Sequence, residues 1–445
     1  MNRSISTNRV ARVVPRTPLA MSICAAIAAV MTAASRLVAA GDVLPVTSCA
    51  DDGGAGTLRS VAASATQGAT IDLSGLTCSS ITLLNGAIAP ASGTFTLLGP
   101  GRDRLTIDGN AQDRVLTGDD ITIEGLTLAN GRIAADDANG GCIEASVGVV
   151  LRASRVTSCR AYGGELAVGG GISAGYYVHL YDSIVSDNIA GADHVYGGGI
   201  SAKYDGVIAE NSTISGNSAE GAAYGGGVFA MGVSQVSHST VSGNLSTLAG
   251  GGWYCMRSWI GFGDCNIVDS TISGNTAAIE GGGLVASDSN VEIASSTIAF
   301  NTAMLQNVGG FLFTSRESTP PSGLTMVLQS SIFALNEAAE SALSPDIDAN
   351  LTPLPLVAGT DNLIGVVGNL EPGYISGDPL LAPLAANGGP TLTHALLHGS
   401  PAIDAGNNAG AQETDQRGAA RHAGKRPDIG AFEVQPEPIF ANGFD

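Results

Sequence analysis

Lysine is almost missing from this 445-residue chain, which holds only Lys203 and Lys425, and tryptophan is as scarce, with Trp253 and Trp259 alone. Lys and Arg together number 20 against 40 Asp and Glu, giving a net charge of −20. That balance argues against a nucleic-acid binder, which needs a basic surface to neutralise phosphates. Charged residues make up only 13% and apolar residues 44%, so the acid excess does not describe a disordered polyelectrolyte. There is no CxxC pair and no His cluster at zinc spacing, which argues against a zinc site. What is abundant is glycine, 61 residues without a G-X-Y period, so collagen is excluded and backbone geometry must explain the excess. The length fits two or three compact domains or one elongated repeat domain.

The first forty residues contain Arg3, Arg9, Arg12, Arg16 and Arg36, no acid, and an apolar stretch from Leu19 to Val30. Val38-Ala39-Ala40 supplies small residues for cleavage, so residues 1–40 read as a secretory signal. A membrane anchor is the alternative, but the apolar run is shorter than the ~20 residues a spanning helix needs. Removal after Ala40 leaves a net charge of −25 and no later run long enough to cross a bilayer. It also removes Cys24, leaving Cys49, Cys78, Cys142, Cys159, Cys255 and Cys265. An even count in an exported chain favours disulfides; of the fifteen possible connectivities, pairing in order along the chain is expected, most clearly for Cys255 with Cys265.

The middle of the chain repeats. In register, the segments run Ile121 to Gly131, Val149 to Cys159, Val178 to Asn188, Val207 to Asn217, Ser234 to Asn244, Cys265 to Asn275, Val291 to Asn301 and Met326 to Asn336. Their ends are 28, 29, 29, 27, 31, 26 and 35 residues apart. Glycine triplets precede five of them, beginning at Gly169, Gly197, Gly225, Gly250 and Gly281, and each leads into an apolar residue: Ile172, Ile200, Val228, Trp253 or Leu284. Apolar residues alternate within each segment, which is the period of a strand. A unit of this length cannot bury its apolar face alone, so units must stack, and the predicted fold is all-β: a single-stranded right-handed parallel β-helix of the pectate-lyase-like kind, capped at both ends. Asn188, Asn217, Asn244, Asn275, Asn301 and Asn336 would form one column at a left-handed turn, and Ser154, Ser183, Ser212, Ser239, Ser270, Ser296 and Ser331 another, both as structural ladders. Asn211-Ser212-Thr213 and Asn244-Leu245-Ser246 match glycosylation acceptors, a pattern the repeat itself generates.

The glycine triplets paired with segments ending in Asn resemble the repeats of polymorphic outer-membrane proteins. Farther on, Thr360-Asp361-Asn362-Leu363-Ile364-Gly365, Gly377-Asp378-Pro379-Leu380-Leu381, Asn387-Gly388-Gly389-Pro390-Thr391, Gly399-Ser400-Pro401-Ala402-Ile403-Asp404-Ala405-Gly406, Asp415-Gln416-Arg417-Gly418 and Asp428-Ile429-Gly430-Ala431-Phe432-Glu433 together resemble the choice-of-anchor Q domain of exported bacterial proteins. Asp72 to Cys78 is similar to such proteins too. The resemblance implies export, a β-helix and display by varied C-terminal signals, and it carries no activity. The end of the chain, Phe440-Ala441-Asn442-Gly443-Phe444-Asp445, resembles short sorting tails. The expected organisation is a signal over 1–40, an N-terminal cap and irregular coils over 41–118, β-helix repeats over 119–340, a C-terminal cap over 341–434 and a tail over 435–445.

Catalytic signatures of β-helical polysaccharide lyases and hydrolases are not found beside the doublets Asp119-Asp120 and Asp136-Asp137, so carbohydrate processing is the alternative to a non-catalytic adhesive, structural or glycan-binding role. Register marks one departure. Cys255 takes the place of Ala145, Ala174, Ala202, Ala230 and Ala286, and a longer loop runs from it to Cys265. This loop holds Met256, Arg257, Trp259 and Phe262, beside Trp253 and Tyr254. Equivalent turns carry Tyr176, Tyr177, Lys203, Tyr204, Asp205 and Met231. Stacked, they form a strip suited to sugar rings, or a loop whose Trp rings cover apolar surface. Tyr162, Glu165, Asp193, His194, Tyr196, Glu220 and Tyr224 are expected on the opposite loops, as a solvated acidic face or as an acid–base or calcium cluster of Glu165, Asp193, His194 and Glu220. No metal motif supports calcium and no cofactor is called for. Carbohydrate or host-surface molecules are the expected partners. Asp404, Asp415, Arg417, Asp428 and Glu433 are expected in a charge-paired cap over the last coil.

Overall fold

Alternating burial carries the architecture. In Tyr177–Tyr181, Val178 and Leu180 are buried while their neighbours are half-exposed, and each pairs in parallel with its equivalent one coil on, Val178 with Val207 and Leu180 with Ala209. Repetition of this pairing gives the expected parallel β-helix. A computed structural model describes residues 41–259, 261, 263–305, 308–315, 323–338, 346–350, 354–371, 373–407 and 412–436. The expected signal over 1–40, the loop residue Phe262 and the tail from 437 lie outside the described residues. Among the described residues, strands stack into sheets of 19, 12 and 8 members, and the only helix is Leu58–Ala62. Solenoid strands continue past the repeats as far as Tyr374–Ile375.

The main core cluster is filled by side chains of the 19- and 12-stranded sheets, such as Leu151, Val185, Ile214, Ile272 and Phe333, while the 8-stranded sheet buries a smaller cluster of its own, Ala167, Ala190, Val195, Ala219 and Ala223. Each fully buried aliphatic side chain contributes roughly 1.5–3 kcal/mol. Trp253 belongs here. It occupies the column of Ile200, Val228 and Leu284 and is 1% exposed; its indole N–H is 3.4 Å from the hydroxyl of Ser234, a small residue in an otherwise apolar column.

The asparagine and serine columns form ladders, with one correction. The left-handed residues are those just before them, such as Asp187 and Gly216 before the asparagines and Asp182 and Asn211 before the serines. With the sharp bend taken by its neighbour, each asparagine turns inward. Asn188 Nδ2 donates to Asn217 Oδ1 at 2.9 Å, Asn217 to Asn244, Asn244 to Asn275, Asn275 to Asn301 and Asn301 to Asn336, all at the same distance. The ladder ends on Asp346, whose Oδ1 accepts from the Asn336 amide at 2.8 Å. The serine ladder runs from backbone N–H to the next hydroxyl, as from Ser183 to Ser212 at 3.0 Å. Both columns satisfy buried backbone groups at corners where sheet pairing stops.

The triplets turn the chain between the 8- and 19-stranded sheets. Gly197 has φ +80°, and a Cβ on Gly198 would sit 2.3 Å from the Gly226 carbonyl oxygen of the next coil. These corners can therefore stack at strand spacing only without side chains.

At the N-terminal end, the helix Leu58–Ala62 begins at the cap residue Thr57, whose side chain accepts from Ser60 N–H. Arg59 forks onto buried Asp51 at 2.8 and 2.9 Å and donates to Gly86 and Ala87 carbonyls, tying this cap to the first coils. The cysteines pair in chain order: Cys49 with Cys78, Cys142 with Cys159 and Cys255 with Cys265.

The C-terminal segment lies elsewhere than expected. Instead of standing over the last coil, it lies back along the outer face of the 12-stranded sheet. Gln416 bonds Thr271 and the Ser239 carbonyl, Thr240 bonds the Leu392 carbonyl, and the Gly430 N–H reaches the Ser330 carbonyl. His394 Nε2 is 2.8 Å from Ser273 Oγ, and burial holds its imidazole below the ordinary value. Small polar outward residues on these strands leave space for the segment to sit flush. A sequence reading sees them only as repeat positions.

Candidate functional site

Outward residues of one row of strands in the 19-stranded sheet form a column, Thr117, Glu144, Ser173, Ser201, Phe229 and Tyr254, each the register partner of the next and the last four just after a glycine triplet. Because the triplet corner carries no side chains, a second column comes close to it from the ends of the 8-stranded sheet. This second column is Asn139, Val168, Tyr196 and Tyr224, again partners in register. The two columns form the floor and one wall of a groove. Tyr196 lies 4.8 Å from Phe229 between ring centroids, Tyr224 lies 5.2 Å from Tyr254, and Phe229 and Tyr254 stack at 5.7 Å.

This arrangement corrects the expectation of two sites on opposite loops. Tyr196 and Tyr224, placed with the acidic cluster, face the strip that carries Lys203, Met231, Tyr254, Met256 and Trp259. The strip is also thinner than expected. Trp253 points into the solenoid core and offers a ligand nothing, because the alternation that exposes Tyr254 turns its neighbour inward. Tyr254 lies on the groove side yet is only 3% exposed beneath its aromatic neighbours. Tyr176 and Tyr204 remain at the surface with ring centroids 5.2 Å apart. Tyr177 lies across Gly148 and gives its hydroxyl to Asp120 at 2.7 Å, and burial with that carboxylate pushes its ionisation upward. Arg257 is half-buried, and Trp259 is 80% exposed at the rim.

Two adjoining cavities share Lys203. One, about 240 Å³, is lined by Leu166, Val168, Tyr196, Ser201, Phe229, Met231, Met256 and Trp259. The other, also about 240 Å³, is lined by polar groups including Thr117, Asn139, Glu144 and Ser173. Arg114 holds the Glu144 carboxylate at 2.8 Å and donates to the Asn139 carbonyl. Ser201 Oγ and Asn139 Oδ1 are buried without a hydrogen-bond partner, at opposite ends of this polar stretch.

Glu165, Asp193, His194 and Glu220 are all exposed. The bulges that interrupt the pairing between Gly163 and Leu166 and between Gly191 and His194 carry Glu165 and Asp193 out into water. Among the described residues, no group of three or more His, Cys, Asp or Glu is placed to hold a metal ion. Asp119 accepts from Ser146 at 2.6 Å, a structural use of one doublet.

Phe229, Leu166, Val168 and Ser201 were not singled out from sequence. The signal for Phe229 was present, since it follows the first inward residue after a triplet and must face outward. Leu166 and Val168 depend on the bulge, which repeat spacing does not reveal. No helix among the described residues is long and apolar enough to cross a membrane. No protein-family model matches the chain, and no curated protein matches it.

Proposed function

We propose that this protein is exported and displayed or released at a Gram-negative surface, where its β-helix presents a groove that binds glycans. The observation that carries this reading is the groove itself, which joins an exposed Trp259 ring to a line of hydroxyl, amide and carboxylate groups along one face. Sugar rings need this combination, an aromatic face for their C–H surfaces and polar groups for their edges. Three disulfides fit an oxidising compartment. The resemblance to choice-of-anchor Q proteins supports display, and no cofactor enters.

Trp259→Ala is expected to weaken retention on the recognised polysaccharide about tenfold, equivalent to ~1.4 kcal/mol, with thermal stability unchanged because the ring is solvent-exposed. Affinity electrophoresis against a panel of polysaccharides measures it. Unchanged mobility of the variant on every retained polysaccharide would overturn the reading. Release of shortened or unsaturated products by the wild-type protein would replace it with a lyase or hydrolase.

A further inference from the structure

We infer that the groove selects a glycan bearing a short N-acyl substituent, a reading that rests on the glycan-binding proposal above. The floor changes character abruptly. Thr117, Glu144, Ser173 and Ser201 are polar, and the next register partner, Phe229, begins an apolar stretch. Adjacent coils are about 4.8 Å apart, so the change takes place within the width of one sugar residue. The polar and apolar partners therefore belong to one residue of the ligand.

Each half excludes a simpler ligand. In the apolar half, Leu166, Val168, Phe229, Met231 and Met256 offer no hydrogen bonds and only the Tyr196 hydroxyl and the Trp259 indole N–H add polar atoms, so an unsubstituted sugar would leave most of the hydroxyls it buries there without partners. A purely apolar ligand would leave Ser201 Oγ unsatisfied and would desolvate the Lys203 ammonium without compensation. An N-acyl sugar meets both demands. Its amide offers one donor and one acceptor at the junction, where Ser201 Oγ, 0% exposed and without a protein partner, adjoins Lys203. Ser201 Oγ accepts the amide N–H or donates to the carbonyl, and Lys203 supplies a second donor. Asn139 Oδ1, unpartnered in the polar half, accepts a hydrogen bond from a ring hydroxyl.

Length is limited as well. Past Tyr254 the next register partners, Val285 and Leu312, are themselves buried in one cluster with Ala249 and Val308, so the floor is already covered. The apolar half therefore spans about two coils, room for an acetyl or slightly longer acyl group and not for a lipid chain.

Calorimetric titration of the intact exported chain with three tetrasaccharides tests this: the β-1,4 tetramer of N-acetylglucosamine, the glucose tetramer of the same linkage, and the deacetylated glucosamine tetramer. The acetylated tetramer is expected to bind at least tenfold more tightly than the neutral glucose tetramer. The glucosamine tetramer shows how much the net acidic surface attracts any cation. Ser201→Ala is expected to abolish the preference while leaving the melting temperature unchanged or slightly raised, because it removes a buried hydroxyl that bonds nothing in the protein. A merely structural hydroxyl would behave otherwise, lowering stability and leaving the preference intact. Equal affinity for acetylated and glucose tetramers would overturn the acyl inference and leave glycan binding standing. Failure of all three to bind, together with no retention on any polysaccharide, would overturn both.

Discussion

Arg421→Ala is expected to detach the C-terminal segment from the solenoid at a cost of about 3–5 kcal/mol, the range for breaking a buried ion pair from one side. Arg421 is fully buried. It donates to the Gly430 carbonyl at 2.8 Å and the Ser295 carbonyl at 3.1 Å, and pairs with the Asp269 carboxylate, itself 1% exposed, across the junction. Glu433 lies 4.0 Å from the same guanidinium. Truncation strands two carboxylates in a medium that cannot solvate them. Limited proteolysis should cut the variant within residues 378–436 while the coils stay protected, and denaturant titration should show a separate early transition. Pairing Arg421→Met with Asp269→Asn should recover much of the loss, since it removes the buried charge and keeps a residue tolerant of the left-handed backbone at 269. Full retention of stability in Arg421→Ala would show that the pair does not hold the segment.

The same junction responds to pH. Burial pushes Glu433 up to about 7 and moves Asp269 and Asp428 upward as well. A carboxyl raised in the folded state contributes stability that is complete below its unfolded pKa and is lost as pH rises through the folded value. Docking should therefore tighten from pH 8 down to about 5, and Glu433→Gln should flatten that dependence. At the other end the sign reverses. Burial alone would raise Asp51, but the Arg59 fork and the Leu84 N–H outweigh it and hold the carboxyl below its ordinary value of 3.8. The N-terminal cap should thus weaken only when pH falls below about that value. Melting curves from pH 3 to 9 on wild type and Glu433→Gln check both limbs.

Asn217→Ala is expected to be about as damaging, on the order of 4 kcal/mol, because one truncation orphans several buried groups at roughly 1–3 kcal/mol each. Asn217 Oδ1 accepts from the Asn188 backbone N–H at 3.1 Å and its amide at 2.9 Å, while its own amide donates to the Val185 carbonyl and Asn244 Oδ1. Asn217→Asp should fail as well. An aspartate can accept but has no amide protons to pass onward, which is why Asp346 is suited to the end of the ladder and not its middle. Chemical denaturation of both variants measures this. A loss below 1 kcal/mol in either would mean that water replaces the amide and that the ladder is not a continuous buried structure.

The repeat was legible because parallel stacking places chemically equivalent residues in register, so Val178 over Val207 and Asn188 over Asn217 appear in the text as a period. The disulfides followed chain order because each joins nearby segments. The left-handed residue stands one position before each asparagine and leaves no period in the text, since Asp187, Gly216 and Phe300 share a conformation without sharing a side chain. Trp253 is rare by composition, but its place in the core follows from the strand alternation that turns Tyr254 outward and its neighbour inward.

By itself, the sequence determined the solenoid, its two ladders, its glycine corners and its acidic surface, all of which arise from local period and nearest-coil pairing. Only the tertiary structure decided which columns face each other across a corner, that Tyr196 meets Phe229, and that Ser201 is left without a partner. It alone placed the C-terminal segment along the 12-stranded sheet, joining Arg421 to Asp269 and Gln416 to Thr271 across about 150 residues of chain. Those pairings depend on how bulges and side-chain sizes shape the outer surface, and no repeat period records that shape.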